Sequence, residues 1–306
     1  MKASNKSAFL KYFKPTKTKN ILSEETFEVD LEDDLGHLAF QKKSDALFLS
    51  RFNENNILEL MNKVGLTKHL NSLGLDNFQV DIEKDENQIN YLRVYYNEKK
   101  PQNLLIDLRL SETRFIPDRS FFENDNEVEV LDMAVIEWLS AQHPYKSFDH
   151  KRPQLPGQKN PGLGSLNYMM DLMYLAGKKI FKDGFMDIPE HFHGALMYSK
   201  KFKFFNPASE AILRAVLRDL QEYSLADLAW GMITETIIDS TTNKPYIYEP
   251  SEQIFPLSKF MKDYFNSKKY QENFNQVYKS QKFDFKYDKM LEIRQELLQE
   301  HNPEDL

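Results

Sequence analysis

The sequence predicts an α/β (α+β) fold: a mixed, mostly antiparallel central sheet flanked by helices, with a helical extension at its C-terminal end. Three observations carry this. Between 78 and 110, short segments rich in β-branched and aromatic residues follow one another, separated by polar turns. Apolar residues recur at helical spacing on either side of that region. From Asn206 onward the pattern is largely helical.

The elements follow in order. In NENNILELMNKVGLTKHLNSLG (53–74), Ile57, Leu58, Leu60, Met61, Val64 and Leu70 mark a helix, with Gly74 as its C-terminal stop. FQVDIEK (78–84), YLRVYYN (91–97) and NLLIDLRL (103–110) read as an antiparallel meander. VEVLDMAVIEWLSAQ (128–142) adds a strand whose centre, MAVIEWL, is apolar at nearly every position, as for a strand covered on both faces. LNYMMDLMYLAGKKIF (166–181) is a helix with Met169, Met170 and Met173 on its buried side, a core stripe that could also shape a channel for an acyl chain. GFMDIP (184–189) reads as a short strand and HGALMYSKKF (193–202) as a short helix. PASEAILRAVLRDLQEY opens with Pro207 at a natural first-turn position, and SLADLAWGMITETIID follows as a second helix. The stretch from 256 to 299 reads as mostly helical. These elements divide the chain into a lead-in (1–50), a core (51–205) and an extension (206–306).

Composition narrows the function. The 306 residues are 41% hydrophobic and 28% charged, an ordinary soluble composition, and 13% aromatic, which points to a core built from Phe and Tyr. A net charge of −7 offers no surplus of Lys and Arg to displace counterions from nucleic acid. The absence of cysteine removes disulfides, thiolate metal sites and a Cys nucleophile, and accords with a cytoplasmic protein. No apolar run approaches the roughly 18–20 residues that span a bilayer. MKASNKSAFLKYFKPTKTKN carries six lysines and no acid but lacks the apolar stretch of a secretory signal. It reads as a solvated tail, as does the acidic SEETFEVDLEDD (23–34) behind it.

One stretch stands out. The chain has 10 glycines and 13 prolines, yet QLPGQKNPGLG (154–164) holds Gly157, Gly162, Gly164, Pro156 and Pro161. It lies between a strand and a helix, where unpaired N–H groups and the helix dipole favour an anion, and where glycine lets backbone approach it. Gly162-Leu163-Gly164-Ser165 stands at that junction as a candidate phosphate site, with an ordinary tight turn as the alternative. Neither the Walker pattern nor the dinucleotide fingerprint is present.

The order of elements, together with Gln158-Lys-Asn-Pro-Gly162-Leu-Gly164, resembles the GNAT superfamily of N-acetyltransferases. There a Gln/Arg-x-x-Gly-x-Gly/Ala loop holds the pyrophosphate of acetyl-CoA or another acyl-CoA; this chain carries one more residue before the first Gly. The family's block Asn-x-x-Ala-x-x-Leu-Tyr-x-x-x-Gly-Phe is matched by His191, Gly194, Met197 and Tyr198, and departed from at Phe202 and Lys203. The segment 143–157 is longer than the family's usual connection, and the resemblance covers about 53–205. It implies a mixed sheet and acyl transfer from acetyl-CoA or a longer acyl-CoA to an amine acceptor, a small molecule or a peptide. In that reading Gln158, Gly162, Leu163, Gly164 and Ser165 hold the cofactor and Tyr198 is the general acid. Such chemistry also needs a base and donors for the tetrahedral oxyanion. Backbone around Leu139 and Ser140 could supply the donors, and Glu137 or a carboxylate of the preceding strand the base. A non-catalytic module with the same fold is the runner-up.

Other constellations weigh less. Glu190, His191 and His193, with His143 and His150 upstream, suggest a metal-dependent hydrolase, but HxH spacing puts the two imidazoles on different faces of a helix and the HExxH pattern is missing. Trp138 and Trp230 read as core. The C-terminal lysines interleaved with aromatics read as a solvated helical face, and no Gly-x-Ser-x-Gly elbow marks a serine hydrolase.

Overall fold

The computed structural model describes residues 47–122, 130–149 and 152–306. The basic tail, the acidic stretch at 23–34 and His150 lie outside them.

Two helices come first, α1 (Glu54–Lys63) and α2 (Leu66–Ser72). Asn53 and Asn56 cap α1 reciprocally, each side chain accepting from the other's N–H at 2.9 and 3.2 Å. The single helix expected over 53–74 is therefore two. Gly65 sits at φ +79°, a left-handed conformation that ends one helix and turns the chain into the next.

The meander follows as β1 (Phe78–Lys84), β2 (Asn90–Tyr96), β3 (Leu104–Phe115) and β4 (Leu131–Ala141), each antiparallel to the last. Period-two alternation puts Val80, Ile82, Leu92, Val94 and Leu108 on one buried face under α1 and α2. After β4, α3 (Leu166–Ile180) crosses over, and β5 (Gly184–Asp187) returns parallel to β4 with Met133 opposite Gly184 and Val135 opposite Met186. Met169, Met170 and Met173 are buried in that first core. Then come α4 (Phe192–Tyr198), β6 (Lys203–Phe204), α5 (Pro207–Asp219) and α6 (Leu225–Ile233).

The chain beyond 206 is not helical throughout. IID forms strand β7 (Ile237–Asp239), which with β8 (Lys244–Pro245) and β10 (Phe283–Phe285) makes a small sheet ordered β10-β7-β8. Strand β9 (Gln253–Pro256) enters the main sheet, whose order among the described residues is β1-β2-β3-β4-β5-β9-β6. All its pairings are antiparallel except β4 with β5. Helices α7 (Lys259–Asn266), α8 (Lys268–Ser280) and α9 (Tyr287–Glu300) complete the chain. A second core, with Met133, Met186, Phe205, Ile254, Tyr264 and Tyr270, lies against α7 and α8. Burying side chains of this size contributes about 1.5–3 kcal/mol each.

Two expectations about strand β4 and its tryptophan need correction. Residues 133–136 are covered on both faces as expected, but Glu137 and Trp138 are exposed, Trp138 by 52%. The apolar run continues past the point where β5 ends and helix cover stops. Trp230, by contrast, is fully buried.

The junction of β5 and β9 is tight. A Cβ on Gly184 would stand 2.8 Å from the Phe255 carbonyl oxygen and 2.9 Å from Ile254 Cγ2. Gly184→Ala is expected to lower stability by about 1–3 kcal/mol, read as a drop in the denaturant midpoint. An unchanged midpoint would show that the strands part without cost.

Candidate functional site

The sheet opens at one place. Strands β4 and β5 pair from Met133 and Gly184 only as far as Val135 and Met186; β5 ends one residue later, while β4 runs on to Ala141. At the point of divergence β4 carries a bulge: Ile136 faces Leu110 and Trp138 faces Arg109, so Glu137 is the extra residue. Gln142 N–H donates to the Leu105 carbonyl at 2.9 Å, on the β3 side, while the Ala141 carbonyl accepts from Leu163 N–H at 3.0 Å, on the other. The alternation of an antiparallel ladder then turns the N–H and C=O of Leu139 towards the open edge and those of Ser140 towards β3. Glu137 accepts from the Ser111 hydroxyl and stays on the exposed face. Beside it Arg109 binds Asp107 at 2.7 Å and lies between the rings of Tyr91 and Trp138.

The glycine-rich loop divides into two halves with separate duties. In the first, Gln158 closes a turn: its N–H donates to the Leu155 carbonyl at 3.2 Å, and its Oε1 accepts from Leu155 N–H at 3.3 Å. Gly157, at φ +73°, donates to the Pro303 carbonyl at 2.7 Å and lies so close to His191 that a Cβ would stand 3.1 Å from Nε2. The conformation favours glycine there, and any side chain would also have to push the His191 ring aside by a few tenths of an ångström.

The second half returns along the end of β4. His143 N–H donates to the Pro161 carbonyl at 2.8 Å, Gln142 bridges to Gly162, and Leu163 is buried. His69 Nε2 donates to the Leu163 carbonyl at 2.9 Å, its ring stacked on Tyr168 at 4.9 Å. Gly164, at φ +69°, then turns the chain into α3. Ser165 is the N-cap residue, but its buried hydroxyl caps nothing and has no partner. The N–H groups of Ser165, Leu166, Asn167 and Tyr168 meet no acceptor among the described residues. A 15-residue helix thus starts with free donors at the C-terminal end of β4.

A buried cluster closes the other side. Asp187, the last residue of β5, is 9% exposed. Burial, with the charge of Glu190 adding and an Ile188 N–H bond opposing, pushes its carboxyl up to about 7. On α4, burial first and the Asp187 charge second drive the Tyr198 phenol well above its ordinary value, so it stays protonated. Tyr198 packs on Phe202, 5.3 Å between ring centroids. Tyr248 donates to the Pro189 carbonyl at 2.8 Å and also feels Asp187. His193 is pushed down to about 4 by burial, with His191 adding, and the two imidazoles stack at 5.2 Å. Among the described residues, no group of three His, Asp or Glu side chains is placed to hold a metal.

The structure therefore brings Leu139, Gly162, Leu163, Gly164 and Ser165 to one end of β4, with Tyr198 on the helix after β5. It engages Gln158 in its own turn and leaves Glu137 on the exposed face. Sequence reasoning missed Asp187, His69 and Tyr248. Asp187 had a signal, as the one acid in the apolar run GFMDIP; His69 and Tyr248 lie far along the chain from what they touch.

No protein-family model, curated protein or solved structure matches the chain. No helix among the described residues is long and apolar enough to cross a membrane.

Proposed function

We propose that this protein is a GNAT-like, CoA-dependent N-acyltransferase that passes an acetyl or longer acyl group from a thioester to an amine. The observation that carries this reading is the parting of β4 from β5 beside the Glu137 bulge, with the free N-terminus of α3 at its head. The succession α1, α2, meander, β4, glycine turn, α3, β5, α4 also follows the order that the sequence resemblance implies.

In this reading the pyrophosphate lies on the N–H groups from Ser165 to Tyr168, where helix dipole and backbone donors favour an anion. The pantetheine arm runs along the open edge of β4, bonded to Leu139. The amine nitrogen attacks the thioester carbonyl, the C–S bond breaks, and the protonated Tyr198 hydroxyl supplies the proton for the departing sulfur. Glu137, Arg109 and Trp138 flank the exposed side from which an acceptor approaches. The cytoplasm, suggested by the lack of cysteine, is the place where acyl-CoA would be met.

The test is thermal unfolding with acetyl-CoA, free CoA and a long-chain acyl-CoA. A ligand at a hundredfold excess over its Kd adds about 2.7 kcal/mol, a shift of a few degrees. Gly164→Asp is expected to remove the shift and to lower the unliganded transition only modestly, by about 1 kcal/mol of backbone strain. Aspartate tolerates positive φ, a Cβ there meets only His69 at 3.9 Å, and the new carboxylate competes for the α3 donors. Tyr198→Phe is expected to cut turnover about 10²-fold with CoA binding retained. No shift with any ligand sinks the reading. Binding without turnover, indifferent to Tyr198→Phe, marks a non-catalytic CoA-binding module.

A further inference from the structure

Among the described residues, one buried pair is left unexplained by these roles. Asp187 on β5 stands directly opposite Gln253 on β9 in antiparallel register. Side chains so placed share a face, with Cβ atoms about 4.5–5.5 Å apart. Gln253 is wholly buried; its Nε2 donates to the Ala195 carbonyl of α4 at 3.2 Å, while its Oε1 has no donor. A buried amide oxygen calls for a donor. An ionised carboxylate has none to offer, whereas a protonated carboxyl does.

The surroundings favour the protonated form. The titratable groups that face Asp187 are Glu190 beyond the end of β5, Tyr198 from α4 and Tyr248 from the segment before β9. Each is acidic or neutral, and among the described residues no Lys, Arg or His forms an ion pair with Asp187. Burial is the leading cause of its raised pKa. Gln253 in turn grips the helix that carries Tyr198, so the pair is tied to the acid of the proposed reaction through one hydrogen bond.

We propose that Asp187 is a latch of the site, held as a neutral carboxyl that donates its O–H to Gln253 Oε1 and so keeps α4, and with it Tyr198, in place. The inference rests on the acyl-transfer reading. Asp187 is a positioning residue that acts through Gln253 and α4, not one that touches the thioester.

Two measurements test it. In the ligand-free protein, carbon-13 NMR of labelled aspartate is expected to show one carboxyl titrating near pH 7 that is missing from Asp187→Asn. In turnover, kcat of the wild type is expected to fall above neutral pH, as the donor to Gln253 is lost. In Asp187→Asn, whose amide N–H can stand in as that donor, the limb disappears while kcat below neutral pH stays within about twofold of the wild type; in Asp187→Leu, which offers no donor, kcat is low at every pH. A carboxyl titrating near 4 overturns the latch alone, and so does an Asp187→Asn enzyme that keeps the wild-type fall. Failure of the wild type to bind any CoA compound overturns the acyl-transfer reading.

Discussion

The Asp187→Asn variant is expected to gain on the order of 4 kcal/mol of unfolding free energy over the wild type between pH 4 and pH 7, while His193→Gln is expected to lose on the order of 3 kcal/mol across nearly the same interval. The opposite signs come from opposite charges under one cause, burial. Asp187 has a folded pKa of about 7 against an ordinary 3.8. Its contribution is therefore fully present below pH 4 and is lost as pH rises through 7, because the unfolded chain gives up the proton first. His193 has a folded pKa of about 4 against an ordinary 6.5. Its contribution is present above 6.5 and is lost as pH falls towards 4, because the unfolded chain takes the proton first. In the wild type the two trends largely cancel, and each substitution exposes the other. Urea midpoints from pH 4 to pH 8 at fixed ionic strength decide the matter. Curves that run parallel for the wild type and both variants would mean that neither group is held out of water.

The second large effect lies at Trp230, on α6. Its ring is fully buried, its Nε1 donates to the Gln154 carbonyl at 3.1 Å, and the Arg294 guanidinium of α9 lies 4.8 Å from its ring. One side chain thus joins the first half of the glycine-rich loop to two C-terminal helices, beside the small cluster of Leu155, Ala226 and Ala229. Trp230→Ala is expected to cost about 3–5 kcal/mol, a large share of the stability of an ordinary domain. It also leaves the Gln154 carbonyl without its donor, so amide hydrogen exchange around 154–158 should quicken beyond the global effect. Trp230→Phe keeps most of the volume and loses the N–H, and should cost about 1–3 kcal/mol. A Trp230→Ala protein that unfolds within about 1 kcal/mol of the wild type, with those amides still protected, would show that the loop is held elsewhere.

Several elements could be read from the sequence because their causes are local. The strands of the meander declare themselves by alternation, and β1 occupies Phe78–Lys84 as the pattern FQVDIEK requires. Helix α3 declares itself by methionines at helical spacing, and Pro207 marks the start of α5. The break at Gly65 was also legible in principle, since a glycine inside an apolar helical pattern is where a left-handed turn costs least. The loop at 154–164 announced special backbone geometry by composition alone.

What that loop does was decided elsewhere in the chain. Gly157 is fixed by His191 and Pro303, and Gln154 by Trp230, partners from about 35 to 145 residues away that no local pattern reveals. Strand β9 became part of the main sheet because β5 and β6 offered it hydrogen-bonding edges, although QIFP by itself is too short to tell strand from helix. Asp187 is an ordinary acid in the sequence, and the folded chain makes it a proton-holding group by removing water from it and setting an unmet amide oxygen opposite. By itself the sequence determined the periodicities and the places where the backbone must turn, because sterics and side-chain spacing act over a few residues. Only the tertiary structure decided the parting of β4 from β5, the free start of α3 and the character of Asp187, because burial and long-range pairing exist only once the chain has closed on itself.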